Sequence, residues 1–158
     1  MGFFTADLCD EFFDSVRVLE PIFRSYGGLL KCEGEIATVK LDEDNSELIS
    51  LLKEEGRGRV VVADANGDYC AIVGDKLMGI AKKNGWSGIV VNGYVRDIVN
   101  TQNIEVALFA LGTYPKKSTK KAKGQKGVDL NFAGVLFKEG DYLYADEDGI
   151  VLSDKKLL

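Results

Sequence analysis

Histidine is absent from all 158 residues, and that gap removes a large share of familiar enzyme chemistry. Without imidazole there is no Ser-His-Asp triad, no Cys-His nucleophile pair, no His-built zinc site and no haem held by His. Acid–base work falls to carboxylates, Lys, Tyr, Cys or a metal-bound water. A cation bound by such a chain would see mostly oxygen, which suits Mg²⁺ or Mn²⁺ rather than Zn²⁺ or Cu²⁺.

Cysteine is scarce and scattered. Cys9, Cys32 and Cys70 are an odd number with no Cys-x-x-Cys spacing, so reduced thiols are expected rather than a disulfide framework or a zinc cluster. Long apolar runs are missing as well. Val106–Leu111 is among the longest, far short of the roughly 20 residues that span a bilayer. The amino-terminal stretch has no basic start, and Asp7, Asp10 and Glu11 interrupt its apolar pattern, unlike a secretory signal. Position 6 is Ala rather than Ser or Thr, so the opening Met-Gly is not a myristoylation signal. A cytoplasmic protein is expected. There is no Gly-x-Gly-x-x-Gly loop and no Walker pattern for phosphates.

Apolar residues make up 46% and charged residues 28%, the balance of an ordinary globular protein. The length suits a single domain over residues 1–158 with a core stable without staples. Asp7–Phe13 has helical character, and Glu35–Leu41 alternates like a strand. Asn45 and Ser46 are plausible caps for a helix with Leu48, Ile49, Leu51 and Leu52 on its apolar face, ended by Gly56. Arg59–Ala63 is a β-branched run of the kind buried on both faces. Asn66-Gly67 predicts a hairpin turn into a strand at Tyr69–Val73. A helix follows over Asp75–Asn84, then a strand over Gly88–Asn92, with Gly93 opening a turn that carries Arg96-Asp97. Val106–Leu111 is a further strand, and the carboxyl-terminal part from Ala133 to Leu152 reads as short strands and turns. The sum is one α/β domain with a mixed sheet.

The strand–helix–strand unit at 69–92 locates a site. A crossover of this length makes the two strands parallel. The helix then starts, and the Arg96-Asp97 turn departs, at the same carboxyl edge of the sheet, where open α/β folds place ligands. Gly74 permits close backbone approach. The amide N–H groups of Asp75, Lys76 and Leu77 at the helix start offer a seat for a carboxylate. Arg96 supplies a planar fork for a carboxylate or carbonyl oxygen, and Asp97 and Asp75 supply hard oxygens for a divalent cation. A cation beside an oxo group can polarise it and stabilise an enolate. Each element also has a plain structural use, Asp75 as a first-turn charge and Arg-Asp as a surface turn.

The chain closely resembles the family that joins the regulator of ribonuclease activity A to 4-hydroxy-4-methyl-2-oxoglutarate aldolase. The resemblance runs through Asp7-Leu8-Cys9-Asp10, Gly27-Gly28, Gly56-Arg57-Gly58-Arg59-Val60 and Asn131-Phe132-Ala133-Gly134. It continues through Gly140-Asp141-Tyr142-Leu143-Tyr144-Ala145-Asp146 and Asp148-Gly149-Ile150-Val151-Leu152-Ser153. Its most diagnostic part is Gly74-Asp75, twenty intervening residues, then Arg96-Asp97 preceded by Gly93. The resemblance implies an α-β-β-α sandwich of the swivelling-domain type, assembled as a homotrimer with its site at the subunit interface. It implies a class II aldolase using Mg²⁺ or Mn²⁺ that cleaves 4-hydroxy-4-methyl-2-oxoglutarate into two pyruvates and decarboxylates oxaloacetate. Gly74, Asp75, Lys76, Leu77 and Arg96 would bind substrate, Asp97 would hold the metal, and Asp75 and Arg96 would be catalytic. Longer aldolases of the family add a carboxyl-terminal segment that donates an acidic residue to the neighbouring subunit, and nothing up to Leu158 matches it. The regulator branch shares the short length but lacks the aspartate after the arginine, so Asp97 favours the enzyme. The competing reading is a non-catalytic protein that binds and inhibits ribonuclease E. A menaquinone methyltransferase name attached to the family finds no supporting motif here.

Lys116–Lys126 contains six lysines and no acidic residue; net charge is −5 with them and −11 without. A solvated loop, steering of dianionic substrates, or a contact with RNA or protein all fit such a segment. No aromatics interleave the lysines, so a nucleic-acid partner is not expected.

Overall fold

The computed structural model describes residues 2–119 and 124–158. In chain order the elements are α1 (Thr5–Glu11), β1 (Val16–Val18), β2 (Arg24–Ser25), β3 (Cys32–Leu41), α2 (Ser46–Leu52), β4 (Val60–Asp64), β5 (Ala71–Val73) and α3 (Asp75–Lys83). They continue as β6 (Gly88–Val95), α4 (Ile98–Thr101), β7 (Ala107–Thr113), β8 (Gly124–Lys126), β9 (Leu130–Phe132), β10 (Val135–Phe137), β11 (Tyr142–Asp146) and β12 (Gly149–Ser153).

The large sheet is mixed, as expected, and runs β1-β12-β11-β3-β4-β6-β7-β2, with β5 added to β6 and β8 to β3. Its centre, β3-β4-β6-β7, is parallel. The flank β11-β12-β1 is antiparallel. The long strand β3 joins the two: Cys32–Glu35 pair with β11, whereas Ile36–Lys40 pair with β4. Alternation along each strand then sorts residues into layers. Val39, Val61, Val91 and Leu108 pack under Leu48 and Leu52 of α2 and Met78 and Ala81 of α3. The alternate residues Ile36, Val62, Val90 and Phe109 face Phe137, Leu143, Ile150 and Leu152. On the far side of that layer Tyr144 and Val151 meet Phe3 and Leu8 beside α1. These layers are the α-β-β-α sandwich. Fully burying each Val or Leu contributes roughly 1.5–3 kcal/mol, so the two inner interfaces dominate the stability of the fold.

Several local expectations shift. The hairpin at Asn66-Gly67 does not form. Both residues take positive φ (57° and 66°) as a tight turn requires, but β4 already has parallel partners, β3 and β6, on its two edges. No edge is left for an antiparallel return. β5 instead pairs in parallel with the far end of β6, Val73 opposite Val95. Gly93 is likewise inside β6 rather than opening a turn; a Cβ there would stand 3.0 Å from the Ala65 Cβ. The first helix covers Thr5–Glu11, not Asp7–Phe13. Strands β1, β2 and β8 had no separate signal because they are two or three residues long. No helix among the described residues is long and apolar enough to cross a membrane.

Candidate functional site

The parallel crossover from β5 through α3 to β6 brings the two turns together at one sheet edge. Val73 ends β5 beside Val95, and the Arg96 amide donates to the Val73 carbonyl at 2.9 Å. Gly74 is the residue before α3, and Asp97 precedes α4. Asp97 adopts a left-handed backbone, φ 61° and ψ 33°, a region that costs an L residue roughly 1–2 kcal/mol but that Asp tolerates better than most. Amides of Asn100 and Thr101 donate to the Asp97 carbonyl at 2.8 and 2.9 Å and hold it there. The result aims the Asp97 carboxylate back across the gap toward the start of α3.

There the Asp75 amide donates to Asp97 Oδ2 at 3.2 Å. This corrects one expectation: the three amides at the head of α3 are not all free, because Asp75 N–H is spent on the carboxylate that approaches it. Gly74 makes the approach possible, since a Cβ on it would lie 2.5 Å from Asp97 Oδ2. Asp75 is oriented in turn, with Asn100 Nδ2 donating to its Oδ2 at 2.9 Å. The Arg96 guanidinium donates through Nη1 to the Pro115 carbonyl at 3.2 Å. Gly74, Asp75, Lys76, Leu77, Arg96 and Asp97 together border one cavity of about 450 Å³. Every residue singled out in the sequence therefore reaches the same cavity.

Other bordering residues were not among the expected site residues, although Asn45 was read as a helix cap and Lys117 lies in the lysine-rich segment read as a solvated loop, a steering element or a contact with RNA or protein. Asn45 crosses from the start of α2 and donates through Nδ2 to the Ile72 carbonyl at 2.9 Å. Lys117 and Ser118 arrive on the segment after β7. That segment lies along β5, with Ala71 N–H donating to the Lys116 carbonyl at 2.7 Å and Ser118 N–H to the Ala71 carbonyl at 3.3 Å. Asn100 stands three residues after Asp97, a spacing that could have marked it as a partner for Asp75. Lys126 is tied to α2 through Ser50 and Glu54 at 2.8 and 3.0 Å, whereas Lys120, Lys121 and Lys123 lie outside the described residues.

The donor set fits a divalent cation. Asp97 offers a hard, exposed carboxylate whose one described hydrogen bond leaves lone pairs available, and Asp75 stands beside it across a backbone cradle that a Cβ would fill. Mg²⁺ is commonly held by one or two carboxylates with water completing its shell. A three-carboxylate group, Asp42, Glu43 and Asp68, with oxygens within 4.8 Å of one another, lies on other turns and does not include Asp97. A second cavity, of about 400 Å³, is floored by Leu19, Phe23, Phe109 and Ile150 and has Glu20 and Asp148 on its wall. Among the described residues no lysine or arginine lines it, so it is less suited to an anion than the cavity at the paired turns.

Residues 5–152 match the RraA-like family described as Aldolase/RraA. A protein of Alkalilimnicola ehrlichii provisionally named 4-hydroxy-4-methyl-2-oxoglutarate aldolase is 47% identical over 155 residues, spanning 98% of this chain and 96% of its own. A solved structure from Geobacillus kaustophilus, named as an S-adenosylmethionine:2-dimethylmenaquinone methyltransferase, has a TM-score of 0.96 at 41% identity, covering 98% of this chain and 97% of that one. Another from Thermus thermophilis, named as the RNA-processing inhibitor RraA, has a TM-score of 0.95 at 36% identity, covering 100% and 96%.

Proposed function

This chain belongs to the Aldolase/RraA family, and from that premise and the cavity at Gly74–Asp97 we propose that it is a divalent-metal-dependent lyase for 2-oxo acids. The substrate we propose is 4-hydroxy-4-methyl-2-oxoglutarate, cleaved to two pyruvates, with oxaloacetate decarboxylation at the same site. The observation that carries this reading is the Asp97 carboxylate, aimed into a cavity that also holds a helix amino terminus and a guanidinium.

The roles follow from what each group can do. The N–H groups of Lys76 and Leu77, at the head of α3, would bind the substrate's C1 carboxylate. Arg96 would contact its carboxylate and 2-oxo oxygens. Asp97, with Asp75 beside it, would hold Mg²⁺ or Mn²⁺; when bound, the ion supplies Lewis-acid polarisation of the 2-oxo group. In the retro-aldol direction the C4 hydroxyl loses its proton, the C3–C4 bond breaks, and its electron pair passes to the enolate of the first pyruvate. C4 becomes the carbonyl of the second. Asp75, to which Asn100 donates a hydrogen bond, would orient the water that takes the hydroxyl proton. Arg96 would offset the charge that develops on the enolate oxygen. Oxaloacetate loses CO₂ by breaking its own C3–C4 bond to give the same enolate, and protonation at C3 then yields pyruvate.

Residues 1–158 would act as one domain, in the cytoplasm, within a homotrimer whose neighbouring subunit closes the site. Val99 is 78% exposed two residues from Asp97, and Tyr69 is 73% exposed and stacks on Tyr114 near Arg96; exposed apolar surface beside a charged cavity supports burial against another copy. The methyltransferase name of the Geobacillus protein is not carried over, because this chain lacks a glycine-rich dinucleotide-type loop. The second reading, a regulator that binds and inhibits ribonuclease E, draws on the likeness to the Thermus protein. A lactate dehydrogenase-coupled assay separates the two. Pyruvate release that needs Mg²⁺ or Mn²⁺ and stops with EDTA supports the lyase; no pyruvate release, with a chelator-insensitive ribonuclease E complex, supports the regulator.

A further inference from the structure

We infer that Lys117 is a specificity-determining residue that selects 2-oxo acids bearing a second carboxylate, an inference that rests on the lyase reading of the same cavity. Among the described residues the cavity border carries three basic side chains, Lys76, Arg96 and Lys117, on three different segments. A single carboxylate-plus-oxo unit occupies the head of α3 and Arg96. That leaves the ammonium groups of Lys76 and Lys117, of which Lys117 lies on the segment that the Arg96 guanidinium contacts.

Its placement is fixed by the backbone. The segment carrying Lys117 bridges in parallel to Ala71 of β5, with hydrogen bonds on both sides of the lysine, from Ala71 N–H to the Lys116 carbonyl and from Ser118 N–H to the Ala71 carbonyl. Ser118 is only 4% exposed and anchors the segment, while Lys117 itself is exposed. The Arg96 guanidinium is hydrogen-bonded to the carbonyl of Pro115 on this segment. Both cations are therefore held by one short stretch of chain at one cavity wall. Among the described residues no carboxylate forms an ion pair with Lys117, so its charge is available to a ligand. A lysine is a compact charge on a flexible stem, suited to a distal carboxylate whose distance from the 2-oxo group varies between substrates. Arg96, with its planar fork, suits the fixed geometry of the 2-oxo acid head.

The test uses matched pairs that differ only in the distal group. 4-Hydroxy-4-methyl-2-oxoglutarate is compared with 4-hydroxy-4-methyl-2-oxopentanoate, in which a methyl replaces the distal carboxylate, and the ratio of their kcat/KM values is measured for the wild type, Lys117→Gln and Lys117→Arg. Losing a charged hydrogen-bond partner is expected to lower that ratio roughly tenfold to a hundredfold in Lys117→Gln, with most of it restored in Lys117→Arg. A segment that merely lost its shape would slow both substrates alike and leave the ratio unmoved, and that result overturns the inference while the lyase reading stands. In parallel, the inert pair 2-oxoglutarate and 2-oxopentanoate is titrated calorimetrically with Mg²⁺ present. Should the wild type cleave neither substrate with Mg²⁺ or Mn²⁺, the lyase reading fails, and the titration alone decides Lys117. A wild-type preference for 2-oxoglutarate that Lys117→Gln loses supports the selection. No preference in the wild type, or one retained in the variant, refutes it.

Discussion

Two aspartates on different elements of the fold put the same side chain to contrasting uses. Asp146, at the end of β11, is 8% exposed and accepts three hydrogen bonds: the Thr5 amide and hydroxyl donate to it at 2.8 and 2.6 Å, and the Asp148 amide at 2.9 Å. Burial alone would raise its pKa, but those donors and the nearby Lys31 together outweigh it and hold the carboxyl below its ordinary value. Asp97 is exposed and accepts one described hydrogen bond, at 3.2 Å. A carboxylate held by three donors of the chain ties α1 to the antiparallel layer. One with lone pairs to spare, held in an unfavourable backbone region, is available to a cation. The acid that stabilises the fold and the acid proposed to serve the site thus differ in satisfaction, not in residue type.

Substitution at each aspartate should separate these uses. The largest expected effect is on Asp97→Ala: metal-dependent pyruvate formation falls by about a thousandfold or more, while the thermal transition moves little. Undiminished turnover would reject Asp97 as the metal ligand. Gly74→Ala comes next. Its methyl would push against Asp97 Oδ2, so turnover and Mg²⁺ affinity drop by about tenfold to a hundredfold with the helix still formed; an unchanged affinity would mean the close approach is irrelevant. Asp146→Ala should do the reverse, costing about 2 kcal/mol through lost charge-assisted hydrogen bonds, read as a fall in Tm of roughly 4–8 °C, with activity per folded molecule retained.

The pH dependence sharpens the same contrast. A carboxyl with a lowered folded pKa contributes stability at pH above its unfolded value, near 3.8, and loses it as the pH falls through the folded value. The stability gap between wild type and Asp146→Asn should therefore be full at neutral pH and shrink below about pH 4, as urea titrations at several pH values would measure. A gap independent of pH would mean that ionisation of Asp146 contributes nothing. The smallest effect concerns Cys32. Burial, with Glu33 adding, pushes its thiol up to about 12, so it should resist alkylation at pH 8 in the folded protein and react on unfolding.

The meeting of the candidate site residues at one cavity was legible because the segments that carry them are backbone-determined. A strand, a glycine and a helix start at 69–77, repeated in phase by a strand and a turn at 88–97, can meet in only one way once the strands are parallel. The family resemblance pointed to the same residues. The hairpin error had the complementary cause: Asn66-Gly67 correctly signalled positive φ at both positions, but a turn does not choose its strand's partner. Asn45 and Ser118 escaped because they come from segments distant in sequence whose local pattern carries no mark of the cavity, and the lysine-rich segment holding Lys117 was legible as a charged stretch without its place beside Arg96.

The sequence by itself determined the alternation of each strand, the parallel crossover and the chemistry of a histidine-free, oxygen-rich site, since these depend on periodicity and residue type over a few turns of chain. Tertiary structure alone decided that β3 pairs with β11 along one half and β4 along the other, that the Asp75 amide is spent on Asp97, and that a lysine from the segment after β7 shares a wall with Arg96. Those are outcomes of long-range packing, where the edge left open by one strand settles what may lie beside it.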